Sequence, residues 1–274
     1  MQAISFTKMN GAGNDFVVVD NREGSISWSP SRIARLCDRH RGVGADGLLA
    51  VETALRGGDF RMRYFNSDGG EAEMCGNGAR CFARFAAGLL PEPQREEITF
   101  ETPAGLIGAK LLPDDEVELA MSKPVDFAEP VWLSFAGERQ PVGFLNTGVP
   151  HAVVFVEDLE AVDVAAWGRA LREHEHFAPK GTNVNFVAPL APGEIAIRTY
   201  ERGVEAETLA CGTGVVASAL LYHLRTQSPS PLRVRVRGGD TLGVRFTPGT
   251  RGEFDDVFLR GPAEITFRGE IAVA

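Results

Sequence analysis

The sequence is short of the residues on which several large functional classes depend. Lysine occurs only at Lys8, Lys110, Lys123 and Lys180, and cysteine only at Cys37, Cys75, Cys81 and Cys211. A pyridoxal phosphate enzyme needs a lysine for its Schiff base. No lysine here sits in a recognisable pocket pattern, so no such cofactor is expected, and the reading carries no cofactor at all. No two cysteines form a CxxC pair, which argues against a zinc ribbon or a thioredoxin-type motif, and the four are read as free thiols. Positive charge is also scarce. A net charge of −9 argues against nucleic-acid partners, whose phosphates require a basic face. The one dense basic stretch, Arg233, Arg235 and Arg237, alternates with Val234 and Val236 and reads as the solvent side of a strand. No apolar run approaches the roughly 18 residues that span a bilayer. The amino-terminal stretch has no basic segment leading into an apolar one, so neither signal nor anchor is read and a cytoplasmic location is expected.

What the sequence does contain is a repeat. Cys75 opens CGNGARCFARFAAGLL and Cys211 opens CGTGVVASALLYHLRT, at an offset of 136 residues. Upstream, residues 60–74 resemble residues 195–210 with one insertion, which sets Asn66 opposite Glu201. GAGNDFVVVD at 11–20 matches TGVPHAVVFVED at 147–158 and sets Asp15 opposite His151, and Ile98, Phe100 and Leu106 match Val234, Val236 and Leu242. Blocks in register on this scale predict two homologous domains, residues 1–119 and 120–262, with a linker near 120–130 where Pro124 and Pro130 interrupt the pattern. The last strand, EITFRGEIAVA, is expected to return and complete the first domain over 263–274.

Within each copy, short alternating strands lead to one helix after the cysteine, at about 80–90 and 215–224. Both helices are rich in Ala and Leu with few polar residues, so each belongs inside a wrap of strands. Further helices are predicted at 29–39 and 164–174. The fold class is α+β, each domain a β-barrel-like wrap of strands around a central α-helix.

Each repeated cysteine precedes GxG at a helix start, where unpaired amides and the helix dipole favour a thiolate and attract anions. The amides around Gly76, Asn77, Gly212 and Thr213 can therefore hold a carboxylate, and a carboxylate so held accepts the charge that develops when the adjacent α-carbon loses its proton. Two thiols on opposite faces of that carbon would serve as base and acid in a stereoinversion. Cys37 and Cys81 fall on predicted helices among apolar neighbours and read as core. Gly42, Gly44 and Gly47 satisfy GxGxxG, but the flanking order is opposite to that of a dinucleotide fold, so no NAD site is read. His174 and His176 in REHEHF read as an exposed helix end rather than as metal ligands, and no metal is expected.

The blocks KMNGAGNDF, RHRGVGADG, NSDGGEAEMCGNGARC, TGVPH, GTNVNF and YERGVEAETLACGTG cover essentially the whole chain and closely resemble diaminopimelate epimerase. That resemblance implies cofactor-independent interconversion of LL- and meso-2,6-diaminopimelate, on the bacterial route to lysine and cell-wall precursors. It places the catalytic cysteines at Cys75 and Cys211, with His151 and Glu201 as helpers in proton transfer. It places substrate contacts at Asn14, Asn66, Asn183, Glu201 and Arg202, besides the main chain at Gly76, Asn77, Gly212 and Thr213. Arg202 would be a fork for the distal carboxylate. Asn10, Gly47 and Val149 depart from residues that many or some members carry (His, Gln and Asn respectively). The partner implied is a small-molecule substrate, with no nucleic acid and no membrane, and homodimerisation is left open.

Two rivals stand beside this reading. One is a related racemase or isomerase of proline racemase or phenazine-pathway type, against which Glu201 and Arg202 before ACGTG argue. The other is a redox-responsive thiol protein, which would exchange no solvent proton into any amino acid.

Overall fold

The chain, described by a computed structural model over residues 2–72, 74–92 and 95–273, divides into two compact units: Met1–Leu119 with Gly261–Ala274, and Ala120–Arg260. Glu73 of the first repeat block and Ala274 of the closing strand lie outside the described residues.

In the first unit, β1 (Gln2–Gly11) and β2 (Asn14–Asp20) form a hairpin, α1 (Pro30–Cys37) follows, and β3 (Gly47–Thr53) runs parallel to β2. β4 (Phe60–Asn66) returns antiparallel to β3, the short β5 (Glu71–Ala72) pairs with it, and α2 (Gly76–Ala87) begins. β6 (Glu97–Thr102), β7 (Gly105–Leu111) and β8 (Glu116–Ala120) finish the unit as an antiparallel meander, with β6 parallel to β4.

The second unit repeats this course. β9 (Val125–Phe135) leads to the hairpin of β10 (Glu138–Asn146) and β11 (Pro150–Phe155), then α3 (Val164–Arg172) and β12 (Asn183–Ala191), parallel to β11. β13 (Glu194–Glu201), β14 (Ala206–Thr208), α4 (Gly212–Thr226), β15 (Leu232–Arg235), β16 (Thr241–Pro248) and β17 (Phe254–Pro262) complete it. β18 (Glu264–Val273) pairs antiparallel with β1 along almost its whole length, as β9 pairs with β10.

Local chemistry explains the helix ends. Ser29 caps α1, its hydroxyl accepting the Arg32 amide at 3.2 Å with Pro30 at the first helical position. α1 stops at Cys37, earlier than the expected 39, because the Asp38 carboxylate takes the amides of His40 and Arg41 at 2.8 and 2.7 Å and turns the chain. α2 ends at Ala87, three residues short of expectation, where Gly88 closes the last turn. α3 ends at Arg172, and His174 caps the short 3₁₀ turn that follows by accepting the His176 amide at 3.1 Å.

Both central helices are wrapped as their composition predicts: nine of the twelve residues of α2, and Val215–His223 of α4 without a break, are buried. The central strands are buried on both faces. Val17, Val19, Leu48 and Ala50 join α1 in one core layer, and Ala152, Val154, Val184 and Phe186 join α3 in the corresponding one. Arg233, Arg235 and Arg237 point to solvent while Val234 and Val236 are buried. Pro130 differs from expectation. It lies inside β9 and does not end it, because the register slips by one residue between Val142↔Val131 and Phe144↔Ala128, a bulge that accommodates a residue without an amide hydrogen.

Arg80 is fully buried on α2, a place the Ala-rich pattern did not suggest. It donates to Asn77 Oδ1 at 2.7 Å and to the carbonyls of Pro262 and Gly76 at 3.1 and 3.4 Å, tying the helix to the returning end of the chain.

Candidate active site

Cys75 is the N-cap of α2 and Cys211 the N-cap of α4, each with extended backbone. This follows from the sequence locally: a residue unsuited to the helix interior stands before Gly-x-Gly, and an Ala-rich stretch follows. The first intrahelical bonds are Ala79 N–H to Cys75 O and Val215 N–H to Cys211 O, so the amides at 76–78 and 212–214 form the positive ends of the two helices. Cys75 Sγ also accepts the Gly78 amide at 3.4 Å. All four cysteines are free; burial pushes the thiols of Cys37 and Cys81 up to about 12, so both stay protonated in the core.

In the first unit, Asn14 lies beside Cys75. The thiol donates to Asn14 Oδ1 at 3.6 Å, and Asn14 Nδ2 donates to Asp46 Oδ2 at 2.6 Å. Behind Asp46 stands an ion cluster in which Arg39 bonds both Asp46 and Asp15, and Lys8 pairs with Asp15 at 2.7 Å. Burial pushes Asp15 up, but the hydrogen bonds from Arg39 and Lys8 outweigh it and hold the carboxyl well below the usual carboxylate range. Asn66 is exposed at the end of β4 and accepts from the Tyr64 hydroxyl at 2.8 Å. The Asn77 side chain turns inward to Arg80, so only its main chain is presented at the helix end.

In the second unit, Glu201, Arg202 and Asn183 form one group. The Arg202 amide donates to Asn183 Oδ1 at 2.8 Å, and Asn183 Nδ2 donates to Pro150 O at 3.1 Å, so this side chain bridges two strands. Arg202 Nη1 donates to the carbonyls of Lys180 and Gly181 at 3.3 and 3.4 Å, groups that aim a cation without neutralising it. Burial pushes the Glu201 carboxyl up, partly offset by the Thr208 hydroxyl, which donates to Oε2 at 2.9 Å.

His151 is fully buried. Its Nε2 lies 2.9 Å from Thr213 Oγ1, which lies 3.5 Å from Cys211 Sγ, and its Nδ1 lies 3.0 Å from Asn185 Nδ2. Burial first, and the Arg202 charge second, hold its imidazole down at about 3, so it is neutral near pH 7.

Asn185 and Asp46 were not picked out from the sequence. The signal for Asn185 was present: in TNVNF the two asparagines stand two apart on a strand and so share a face. The repeat also pairs differently at one point. Gly78 packs against Phe16 and Leu49, with an added Cβ falling 3.4 Å from the Phe16 ring, whereas a Cβ on Gly214 would fall 3.3 Å from His151 Cε1 and 2.4 Å from Asn185 Oδ1. The positional counterpart of His151 is therefore Phe16, one residue beyond the Asp15 suggested by sequence, and that of Asn185 is Leu49.

Of the three departures, Asn10 Oδ1 accepts the Gly13 amide at 3.1 Å within a turn, and the Val149 carbonyl accepts the Thr147 amide at 3.2 Å. Gly47 has no room for a side chain as packed, since a Cβ would fall 2.6 Å from Phe65 O.

The fold is shared with solved structures of diverse chemistry. A phenazine biosynthesis protein of the PhzF family from Bacillus anthracis superposes with a TM-score of 0.74 at 17% identity, over 100% of both chains. A hydroxyproline epimerase from Agrobacterium vitis, solved with trans-4-hydroxy-L-proline, gives 0.69 at 17% identity over 99% of this chain and 93% of its own. These likenesses define the class: the two-domain, strand-wrapped fold of diaminopimelate epimerase and its structural kin. The sequence comparisons are more specific. The diaminopimelate epimerase family model matches residues 6–126 and 143–250. Diaminopimelate epimerases from Aquifex aeolicus and Chlorobaculum tepidum are 42% and 41% identical, over 98% and 97% of this chain and 98% and 100% of theirs. The chain belongs to the diaminopimelate epimerase family.

Proposed function

We propose that this chain is a cofactor-independent isomerase that epimerises LL-2,6-diaminopimelate to meso-2,6-diaminopimelate, with Cys75 and Cys211 as the acid/base pair. The observation that carries the reading is that each cysteine stands at the N-cap position of a buried helix, where amides can hold the substrate carboxylate beside the sulfur. One sulfur, as thiolate, takes the α-proton. The electron pair left on carbon delocalises into the carboxylate, whose charge the amides of Gly76, Asn77, Gly212 and Thr213 stabilise. The other thiol gives its proton to the opposite face and becomes the thiolate, so the two sulfurs exchange roles in each turnover. No atom is gained or lost.

Glu201 meets the reacting amino group in this reading, Arg202 pairs with the distal carboxylate, and Asn14, Asn66 and Asn183 supply further polar contacts. The identity of 40–42% to several diaminopimelate epimerases along nearly the whole chain favours this substrate over proline. No helix among the described residues is long and apolar enough to cross a membrane. A cytoplasmic location completes the reading, and sedimentation decides between monomer and homodimer.

The test is deuterium incorporation from heavy water at the α-carbon of LL-diaminopimelate, without added cofactor and with proline in parallel. Exchange is expected into diaminopimelate alone, and inversion of that carbon to the meso epimer is expected to vanish in both C75A and C211A. Inversion that survives either substitution would reject the two-thiol assignment.

A further inference from the structure

The polar chain behind Cys211 is directional, and its direction can be read atom by atom. Asn185 Nδ2 lies 3.2 Å from the Ala152 carbonyl oxygen, a group that can only accept. The amide nitrogen must therefore face Ala152 and His151, which leaves Oδ1 to accept from the Thr199 hydroxyl at 2.9 Å. The Asn185 orientation is fixed by its partners. With one amide hydrogen on Ala152 O, the other points at His151 Nδ1, 3.0 Å away, which must then hold a lone pair. A neutral imidazole has one N–H, so the proton sits on Nε2, which donates to Thr213 Oγ1 at 2.9 Å. His151 fills one lone pair of that hydroxyl, which leaves the Thr213 proton free to turn to Cys211 Sγ, 3.5 Å away, when the sulfur is a thiolate.

The first unit shows that the fold does not need this chain of polar groups. At the same two places stand Phe16 and Leu49, fully buried and apolar. Burying His and Asn there carries a desolvation cost that an apolar pair avoids, and it is tolerated only because each of the bonds above is made. Helix α4 comes close enough to make them because residue 214 is glycine.

We propose that Asn185 is a positioning residue that locks His151 as its Nε2–H tautomer, so that His151 acts as a fixed donor and Thr213 in turn donates to the Cys211 sulfur. The proposal rests on the reading of Cys211 as an acid/base thiol. It assigns His151 a different task from a proton carrier: with Nδ1 occupied, the ring has no site for a second proton. Its work is to keep the Thr213 hydroxyl aimed so that the sulfur is stabilised when it is negative.

Two measurements on the whole protein, neither needing substrate, test this. Nitrogen-15 ring spectra at neutral pH should show His151 Nδ1 as the unprotonated nitrogen in the wild type, and the proton should move to Nδ1 in Asn185→Asp, whose carboxylate can only accept. A wild-type His151 carrying its proton on Nδ1 would overturn the proposal whether or not the variant folds. Alkylation of Cys211 by iodoacetamide at neutral pH, followed by peptide mass, should slow about tenfold in Thr213→Val and recover in Thr213→Ser. Equal rates in all three proteins would also overturn it. Substrate exchange is then scored separately: a correct tautomer with no exchange into diaminopimelate refutes the functional reading alone, and exchange with the wrong tautomer refutes this inference alone.

Discussion

The Cys75 thiol donates to Asn14 Oδ1 at 3.6 Å, and the Asn14 amide cannot turn over because its nitrogen is engaged by Asp46 at 2.6 Å. Asp46 is in turn held by Arg39 at 2.8 Å, so a surface ion cluster dictates which end of an amide the sulfur meets. An acceptor beside sulfur favours the protonated thiol, opposing the Gly78 amide, which favours the thiolate. Asp46→Ala releases the amide to present its nitrogen and also removes a nearby negative charge. Both changes favour the thiolate. Alkylation of Cys75 at neutral pH is expected to speed up by at least about threefold; an unchanged or slower rate would show that Asp46 does not set the Asn14 orientation.

His151 links the site to acid stability. Its folded imidazole is held at about 3 while the unfolded chain takes up a proton near the ordinary value, so between those limits the unfolded state binds more protons. Stability contributed by the neutral ring is therefore present above about pH 6.5 and is lost as pH falls toward 3, amounting to about 3 kcal/mol at pH 4. Urea unfolding of the wild type and His151→Phe, which copies the Phe16 position, should give a smaller loss between pH 7 and pH 4 in the variant. Parallel losses would mean that His151 does not titrate as its burial demands.

Glu201 has its carboxyl pushed up by burial, and the Thr208 hydroxyl partly offsets this. Thr208→Val removes the offset. If Glu201 must be ionised to meet the substrate amino group, the acid limb of kcat/KM should move to higher pH by up to about one unit, with the basic limb unchanged. A profile that does not move would exclude Glu201 as the group titrating on that limb.

The two helix-start glycines should respond differently to alanine. At Gly78 a Cβ meets the Leu49 and Phe16 side chains at 3.3–3.4 Å, contacts that small shifts relieve, and alanine is itself the better helix former. At Gly214 it would fall 2.4 Å from Asn185 Oδ1, which three hydrogen bonds at that side chain hold in place. Thermal denaturation should find Gly78→Ala near neutral and Gly214→Ala destabilised by about 1–3 kcal/mol. Equal effects would show that the Asn185 network yields readily.

Much of the site was legible because its signals are local. A helix beginning after each cysteine follows from Gly-x-Gly leading into an Ala-rich stretch, and the alternation of Arg233, Val234 and Arg235 predicts which side of β15 faces water. Pro130 misled because a proline reads as a break, whereas an edge-strand bulge can absorb it. Asn77 reads as a main-chain amide at the helix start, and it does stand there; that its side chain would face Arg80, a buried cation, composition could not show.

The matching of His151 to Asp15 missed by one position, and the reason is general. Sequence alignment compares letters, while the place of a residue beside α2 or α4 depends on which face of a parallel strand pair it occupies, and one step along a strand reverses that face. The sequence by itself determined that two cysteines would stand at the starts of two equivalent helices and that the strands around them would alternate, because helix starts and strand period are properties of neighbouring residues. Only the tertiary structure decided that Asn183 would bridge Pro150 and Arg202 while Asn185, two residues on along the same strand, would lock His151. Those partners come from β11 and the end of β13, and hydrogen bonds between distant segments exist only once the strands have paired.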